Sequence, residues 1–195
     1  GDILRAITTP DGVRHEITSA ATPFALMRSV PAGSTMTLTV ERGGTTQDIS
    51  FDSVAASATE SGSKLGVYLS ADPVLPVDIT VNIDGVGGPS AGMMFSLGII
   101  DRLTSGDMTG GNVIAGTGTM SYDGQVGAIG GIQQKLWGAR RDGAQWFLAP
   151  STNCDEVVGH VPDGLRVVSV STLDEAVTAV RSIADGAGDA LPTCQ

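Results

Sequence analysis

Histidine is scarce in this sequence: His15 and His160 are the only two in 195 residues. They are far apart, and no H-E-x-x-H pattern surrounds either, so a dedicated metal centre finds no ligand set. Asp72, Asp78 and Asp84 read as turn or strand-edge residues. Cysteine is equally rare. Cys154 and Cys194 lack metal-ligand spacing and stand far from any nucleophile signature. Basic residues are outnumbered, with 11 Lys and Arg against 21 Asp and Glu, a net charge of −10 and a pI near 4.4. No Lys/Arg cluster offsets that balance, which excludes nucleic acid and anionic membrane surfaces as partners. The phosphate-cradling pattern G-x-x-x-x-G-K-[ST] occurs nowhere. No apolar run reaches the roughly 18–20 residues of a membrane helix. No signal-peptide pattern is present, and since residue 1 is Gly, any targeting segment is expected upstream.

What remains is a chain able to build an aliphatic core. Hydrophobic residues make up 41% and charged residues 16%, with aromatics at only 4%. The 27 glycines imply tight turns and close backbone approaches. Residues 1–54 read as short strands around one helix. Gly1 to Ile7 is a turn running into a strand. Thr22-Pro23 opens a helix, with Thr22 as its cap, and Pro31-Ala32-Gly33 ends it. Thr35 to Glu41 alternates with Met36, Leu38 and Val40 on one face, and Gly43-Gly44 turns the chain back through Gln47 to Phe51. Residues 55–64 are small and polar and read as a linker. From 65 to 195, strands at 66–70, 77–83, 112–119 and 145–149 interleave with helices at 89–103, 133–141, 154–159 and 173–183. That order predicts an α/β domain.

Two positions in the second part suggest chemistry. Ser90 lies in Gly85-Val86-Gly87-Gly88-Pro89-Ser90-Ala91-Gly92, between an expected strand and an expected helix. Free N–H groups and the positive end of the dipole gather at a helix start, where they can stabilise an oxyanion. Met93, Met94 and Leu97 place Ser90 at the head of the helix's inward face. Taken alone, the segment could equally be a glycine-rich turn capped by a serine. Lys135 follows Gly130-Gly131 and sits beside the stripe formed by Ile132, Leu136, Ala139 and Gly143, away from Arg140 and Arg141. Lysine is rarely buried unpaired, and burial disfavours its ammonium form. A neutral lysine can take a proton from a serine hydroxyl. Alone, it could also be a side chain snorkelling to the stripe's edge.

Together, three ordered motifs resemble the peptidase domain of the Lon family. These are Gly88-Pro89-Ser90-Ala91-Gly92, then Gly116-Thr117-Gly118-Thr119 with Asp123-Gly124-Gln125-Val126, then Ile129-Gly130-Gly131-Ile132-Gln133-Gln134-Lys135. The likeness runs over roughly residues 65–180. It implies a serine endopeptidase with Ser90 as nucleophile and Lys135 as general base, a known variant of the serine-protease constellation. It also implies that Thr117 orients the lysine, and that backbone N–H groups at Gly88, Pro89 and Ser90 form the oxyanion hole. Many members carry an acidic residue shortly before the serine, where this chain has Gly87 and Gly88. No cofactor is implied. With no ATPase motif, the expected substrates are unfolded or exposed polypeptide segments.

Residues 1–54 resemble the later part of a bacterial PDZ domain, whose first strand and carboxylate-binding loop would lie before Gly1. The combination is similar to bacterial PDZ–Lon proteins. That similarity implies an upstream membrane tether, an extracytoplasmic location and, since such domains often form rings, a homo-oligomer. A Cys154–Cys194 disulfide tying down the tail fits an oxidising compartment; two free thiols are the alternative. Two rival functions stay open. One is a peptide-binding scaffold with an inactive peptidase fold. The other is an esterase, because Gly88-x-Ser90-x-Gly92 also satisfies the nucleophile elbow, with His160 and Asp142 or Asp155 completing a triad.

Overall fold

The computed structural model describes residues 1–56, 62–72, 74, 76–81 and 88–194. The chain divides into two compact units, residues 1–81 and 82–195, further along the chain than the linker expected at 55–64.

In the first unit, β1 (Ile3–Thr8), β2 (Arg14–Glu16), β3 (Thr35–Arg42) and β4 (Thr45–Asp52) form an antiparallel sheet in the order β2-β1-β3-β4. Arg42 pairs with Thr45 across the two-residue turn Gly43-Gly44. Both glycines have positive φ, the geometry that matches strand twist in a tight hairpin. Helix α1 (Ala21–Ser29) starts two residues earlier than expected. Its N-cap is Ala20, and the nearby serine, Ser19, accepts a hydrogen bond from the Ala21 amide at 3.1 Å, so Thr22 lies inside the helix. Met36, Leu38 and Val40 face inward as their alternation predicts, packing with Ile7, Met27, Val30 and Leu65.

A small ladder, β5 (Val54–Ala55) with β6 (Ser63–Lys64), closes the unit. The strand expected at 66–70 is irregular. Leu65, just before it, and Leu69 within it turn into the core, while Val67 and Tyr68 are exposed. The alternating run at 77–81 also forms no ladder among the described residues. Val77, Ile79 and Val81 are all exposed, so apolar alternation here meets no partner strand. Positions 82 and 83 of that expected strand, Asp84 and the Gly85–Gly87 turn lie outside the described residues.

The second unit is α/β. Its elements are α2 (Gly92–Leu103), β7 (Ile114–Gly116), β8 (Thr119–Met120), β9 (Val126–Gly127), α3 (Ile132–Arg141), β10 (Trp146–Pro150), α4 (Cys154–Val157), β11 (Arg166–Val170) and α5 (Leu173–Ala184). Strands β11-β10-β7 form a parallel sheet and β8-β9 an antiparallel pair. Strand β10 is buried along its whole length, as a central parallel strand covered on both faces must be. Trp146 and Leu148 join Val168, Val170, Met93, Leu97 and the buried stripe of α5 on one face. Phe147 and Ala149 join Val167, Ile132, Leu136 and Val157 on the other. Helices α2 and α3 therefore cover opposite faces of one sheet. Helix α5 is well specified locally. The Thr172 hydroxyl accepts from the Glu175 amide at 3.1 Å, and the Glu175 carboxylate accepts from the Ser171 amide at 2.6 Å, close to a capping box. Strand β11 went unforeseen because its Arg166-Val167-Val168-Ser169-Val170 run is short and only partly alternating.

Cys154 and Cys194 are joined by a disulfide with a sequence separation of 40. It fixes the tail beside β11, where the Ser169 amide donates to the Pro192 carbonyl at 2.9 Å. Closing a loop of that length contributes about 4 kcal/mol in the chain-entropy model. Reduction, or the paired Cys154→Ser and Cys194→Ser change, should lower the urea midpoint of the second unit accordingly. An unchanged midpoint would show that the bond carries no stability.

Candidate active site

The site begins at a backbone irregularity. Gly88 has φ 86° and ψ 167°, a region open essentially to glycine alone. The chain then enters a 3₁₀ turn at Pro89–Ala91 that runs directly into α2. The Gly92 amide is satisfied by the Pro89 carbonyl. Pro89 itself has no N–H, so of the three residues expected to form an oxyanion hole it can only shape the turn. Ser90 and Ala91 supply N–H groups at this helix start, where the dipole also favours negative charge.

Ser90 is held from the other side of the sheet edge. Its carbonyl accepts from the Thr117 hydroxyl at 2.9 Å and from the Gly118 amide at 2.8 Å. The Met93 amide in turn donates to the Gly118 carbonyl at 3.1 Å. Thr117 is 2% exposed, and its own amide donates to the Leu148 carbonyl at 3.1 Å, continuing the β7–β10 pairing one step past β7. The single strand expected over 112–119 is thus interrupted at 117–118, where the backbone turns aside to bind the serine. A side chain at Gly118 would have no room: an added Cβ would lie 2.7 Å from Val126 Cγ1 and 3.3 Å from Met93 Cβ. Thr117 was expected to orient the lysine; the hydrogen bond its hydroxyl makes is to the Ser90 backbone.

Lys135 comes from the opposite face. Gly131, at φ 72° and ψ 35°, starts α3, and Ile132 and Leu136 are fully buried beneath it. Lys135 lies half-buried between those two anchors, and its Nζ donates to Ser90 Oγ at 3.4 Å. That distance is long, as such contacts often are without substrate. The pair sits just past the carboxyl end of β7, the edge of an open α/β sheet at which ligands ordinarily bind.

Among the described residues no hydrogen bond joins His160 to Ser90, Asp142 or Asp155, the grouping an esterase would need. His160 Nδ1 lies 3.1 Å from the Val158 carbonyl, in a shallow groove of about 720 Å³ lined by Gln133, Gln134, Trp137, Gly138 and Arg141. Asp142 pairs with Arg141 at 2.9 Å, which holds its carboxyl below the usual range. Sequence reasoning missed Asn153. It is 1% exposed and hydrogen-bonded to both backbone groups of Ile129. No motif marks a buried asparagine in a turn, so only coordinates could find it.

Gly88→Ala should cost about 1–3 kcal/mol through backbone strain, since among the described residues no atom lies within 4 Å of the added Cβ. Urea denaturation reads this directly, and an unshifted midpoint would mean the loop relaxes freely.

Comparison with known proteins agrees with this geometry. A family model described as the Lon protease (S16) C-terminal proteolytic domain matches residues 30–182. The match takes in β3 and β4 as well as the second unit, reaching further toward the N-terminus than the sequence motifs. Lon protease 2 of Herpetosiphon aurantiacus is 31% identical over 153 residues, covering 76% of this chain and 18% of that protein. Lon protease 2 of Bacillus subtilis is 30% identical over 106 residues, 53% of this chain and 19% of its own. Lon protease of Clostridioides difficile is 36% identical over 93 residues, 46% of this chain and 12% of its own. The chain thus spans less than a fifth of the length of these relatives.

Proposed function

The chain belongs to the family of the Lon protease C-terminal proteolytic domain, and on that premise we propose that it is a serine endopeptidase that works without ATP through a Ser90–Lys135 dyad. The observation that carries this reading is the 3.4 Å approach of Lys135 Nζ to Ser90 Oγ, made by side chains from helices on opposite faces of one sheet. An ordinary surface lysine has no reason to be directed there.

In this reading the Lys135 amine accepts the Ser90 hydroxyl proton as Oγ attacks the scissile carbonyl carbon. The oxyanion is met by N–H groups at the start of α2, with Ser90 and Ala91 as donors. The resulting Lys135 ammonium returns the proton to the leaving amine nitrogen, the C–N bond breaks, and an ester to Ser90 remains. Water then attacks that ester and gives a proton to Lys135; the C–Oγ bond breaks, Lys135 returns the proton to Ser90 Oγ, and the carboxylic acid leaves. Thr117 and Gly118 act on the serine through its backbone carbonyl, fixing the attack position.

The substrates of this reading are unfolded tails or exposed segments, which can reach the serine without first being unfolded. The antiparallel sheet and helix of the first unit support a PDZ-like peptide-binding role for residues 1–54. The disulfide supports an oxidising compartment, as for a membrane-anchored, outward-facing protein; the homo-oligomeric ring of this reading rests on the family resemblance alone.

Cleavage of fluorescent-labelled casein without ATP tests the dyad. Wild type should cut it, and Ser90→Ala and Lys135→Ala should each lower kcat/KM by about 10³-fold or more. Mg-ATP should leave the wild-type rate unchanged. Variants that cut as fast as wild type would overturn the dyad, and a wild type that does not cut at all would leave the scaffold reading in its place. For location, external protease added to intact cells carrying the full-length protein should digest this domain; complete protection would place it inside.

A further inference from the structure

Among the described residues, two polar side chains are buried in the second unit: Thr117 and Asn153. Thr117 binds the serine. Asn153 is hydrogen-bonded to neither Ser90 nor Lys135, yet its amide is fully engaged. Oδ1 accepts from the Ile129 amide at 3.0 Å, and Nδ2 donates to the Ile129 carbonyl at 2.9 Å and to Glu156 Oε1 at 2.7 Å. An asparagine that binds both the N–H and the C=O of one residue acts as a surrogate strand partner for a piece of chain that has none. An apolar side chain would fill the same space without needing three partners, so packing alone does not explain an amide here.

What the clamp grips is telling. Ile129 immediately precedes Gly130-Gly131, and Gly131 begins α3 in a left-handed conformation. Two glycines cannot by themselves fix the direction of the helix that follows. The direction is set by what holds the chain on either side of them: the clamp on Ile129, and the buried Ile132. The same turn also reaches the helix itself, because Gln133 Nε2 donates to the Glu156 carbonyl at 3.2 Å. The turn at 153–156 therefore grips both the approach to α3 and its first turn. Lys135 follows within that turn, and its amine reaches Ser90 only at the long limit of hydrogen bonding. A small rotation or slide of the α3 start would take it out of reach.

We infer that Asn153 is a positioning residue for Lys135: by pinning Ile129 it sets the angle and register at which α3 delivers the amine to Ser90. The inference rests on the dyad reading for its consequence, but the clamp itself can be measured without activity.

Asn153→Asp keeps the size and the acceptor for the Ile129 amide. It removes both donors and sets a carboxylate against the Ile129 carbonyl and Glu156. Val157→Ala is the comparator: it thins the same buried cluster without touching the clamp. Hydrogen exchange should be faster in Asn153→Asp at the Ile129 amide and the first-turn amides of α3, and not in Val157→Ala at a matched urea midpoint. With a fluorogenic peptide, Asn153→Asp should lose about tenfold or more in kcat with KM changed by less than about twofold, as expected when a reacting group is displaced. Val157→Ala should keep kcat within about twofold. The inference is overturned if Ile129 and α3 exchange no faster than in wild type, or if Val157→Ala loses as much kcat as Asn153→Asp. If wild type does not cleave at all, the dyad reading fails by itself, and the exchange measurement still decides whether Asn153 holds α3.

Discussion

The carbonyl of Ser90 accepts two hydrogen bonds, from the Thr117 hydroxyl and the Gly118 amide, and this double contact joins α2 to the end of β7. Much of the rest of the site follows from it. Because the backbone of the serine is fixed, its hydroxyl occupies one place, and the lysine must come to it. Because Thr117 is already committed to the Leu148 carbonyl through its amide, the serine inherits the position of the central strand. The glycine at 118 is a condition of the same contact, since any side chain there would push β9 and α2 apart. The order is from sheet to serine to lysine.

The parts legible in sequence were those with a local cause. Ser90 was readable as a helix start because glycines and proline dictate the turn. Lys135 was readable because a charge beside Ile132 and Leu136 breaks the polar pattern of α3. The alternation of Met36, Leu38 and Val40 gave the buried face of β3. The failures also have causes. Val77, Ile79 and Val81 alternate as a strand should, but alternation describes a face, not a partner, and no ladder forms at 77–81. Thr22 looks like a helix cap, yet the helix starts two residues earlier than that cap implies, where Ser19 serves the first amide. Pro89 belongs to the nucleophile motif but cannot donate a hydrogen bond. Asn153 has no period, motif or neighbour in sequence to betray it, because its partner, Ile129, is distant along the chain.

The family match and the geometry converge on the second unit by separate routes. The family model aligns positions by residue pattern, whereas the 3.4 Å contact depends on how two helices are seated on a sheet. Thr117 illustrates the added value of coordinates. The motif places it in the site, and the structure shows what its hydroxyl holds: the serine's backbone carbonyl.

Strand β10 carries a consequence for how this domain can change. Its neighbouring residues Phe147 and Leu148 face opposite helical layers, one bearing the lysine and the other the serine. Side chains along a strand alternate strictly, so gaining or losing one residue in β10 would exchange those layers wholesale. Loops elsewhere can lengthen at small cost. This strand cannot, and drift in length during descent should be confined to its flanks, making β10 the ruler against which Ser90 and Lys135 are kept in step.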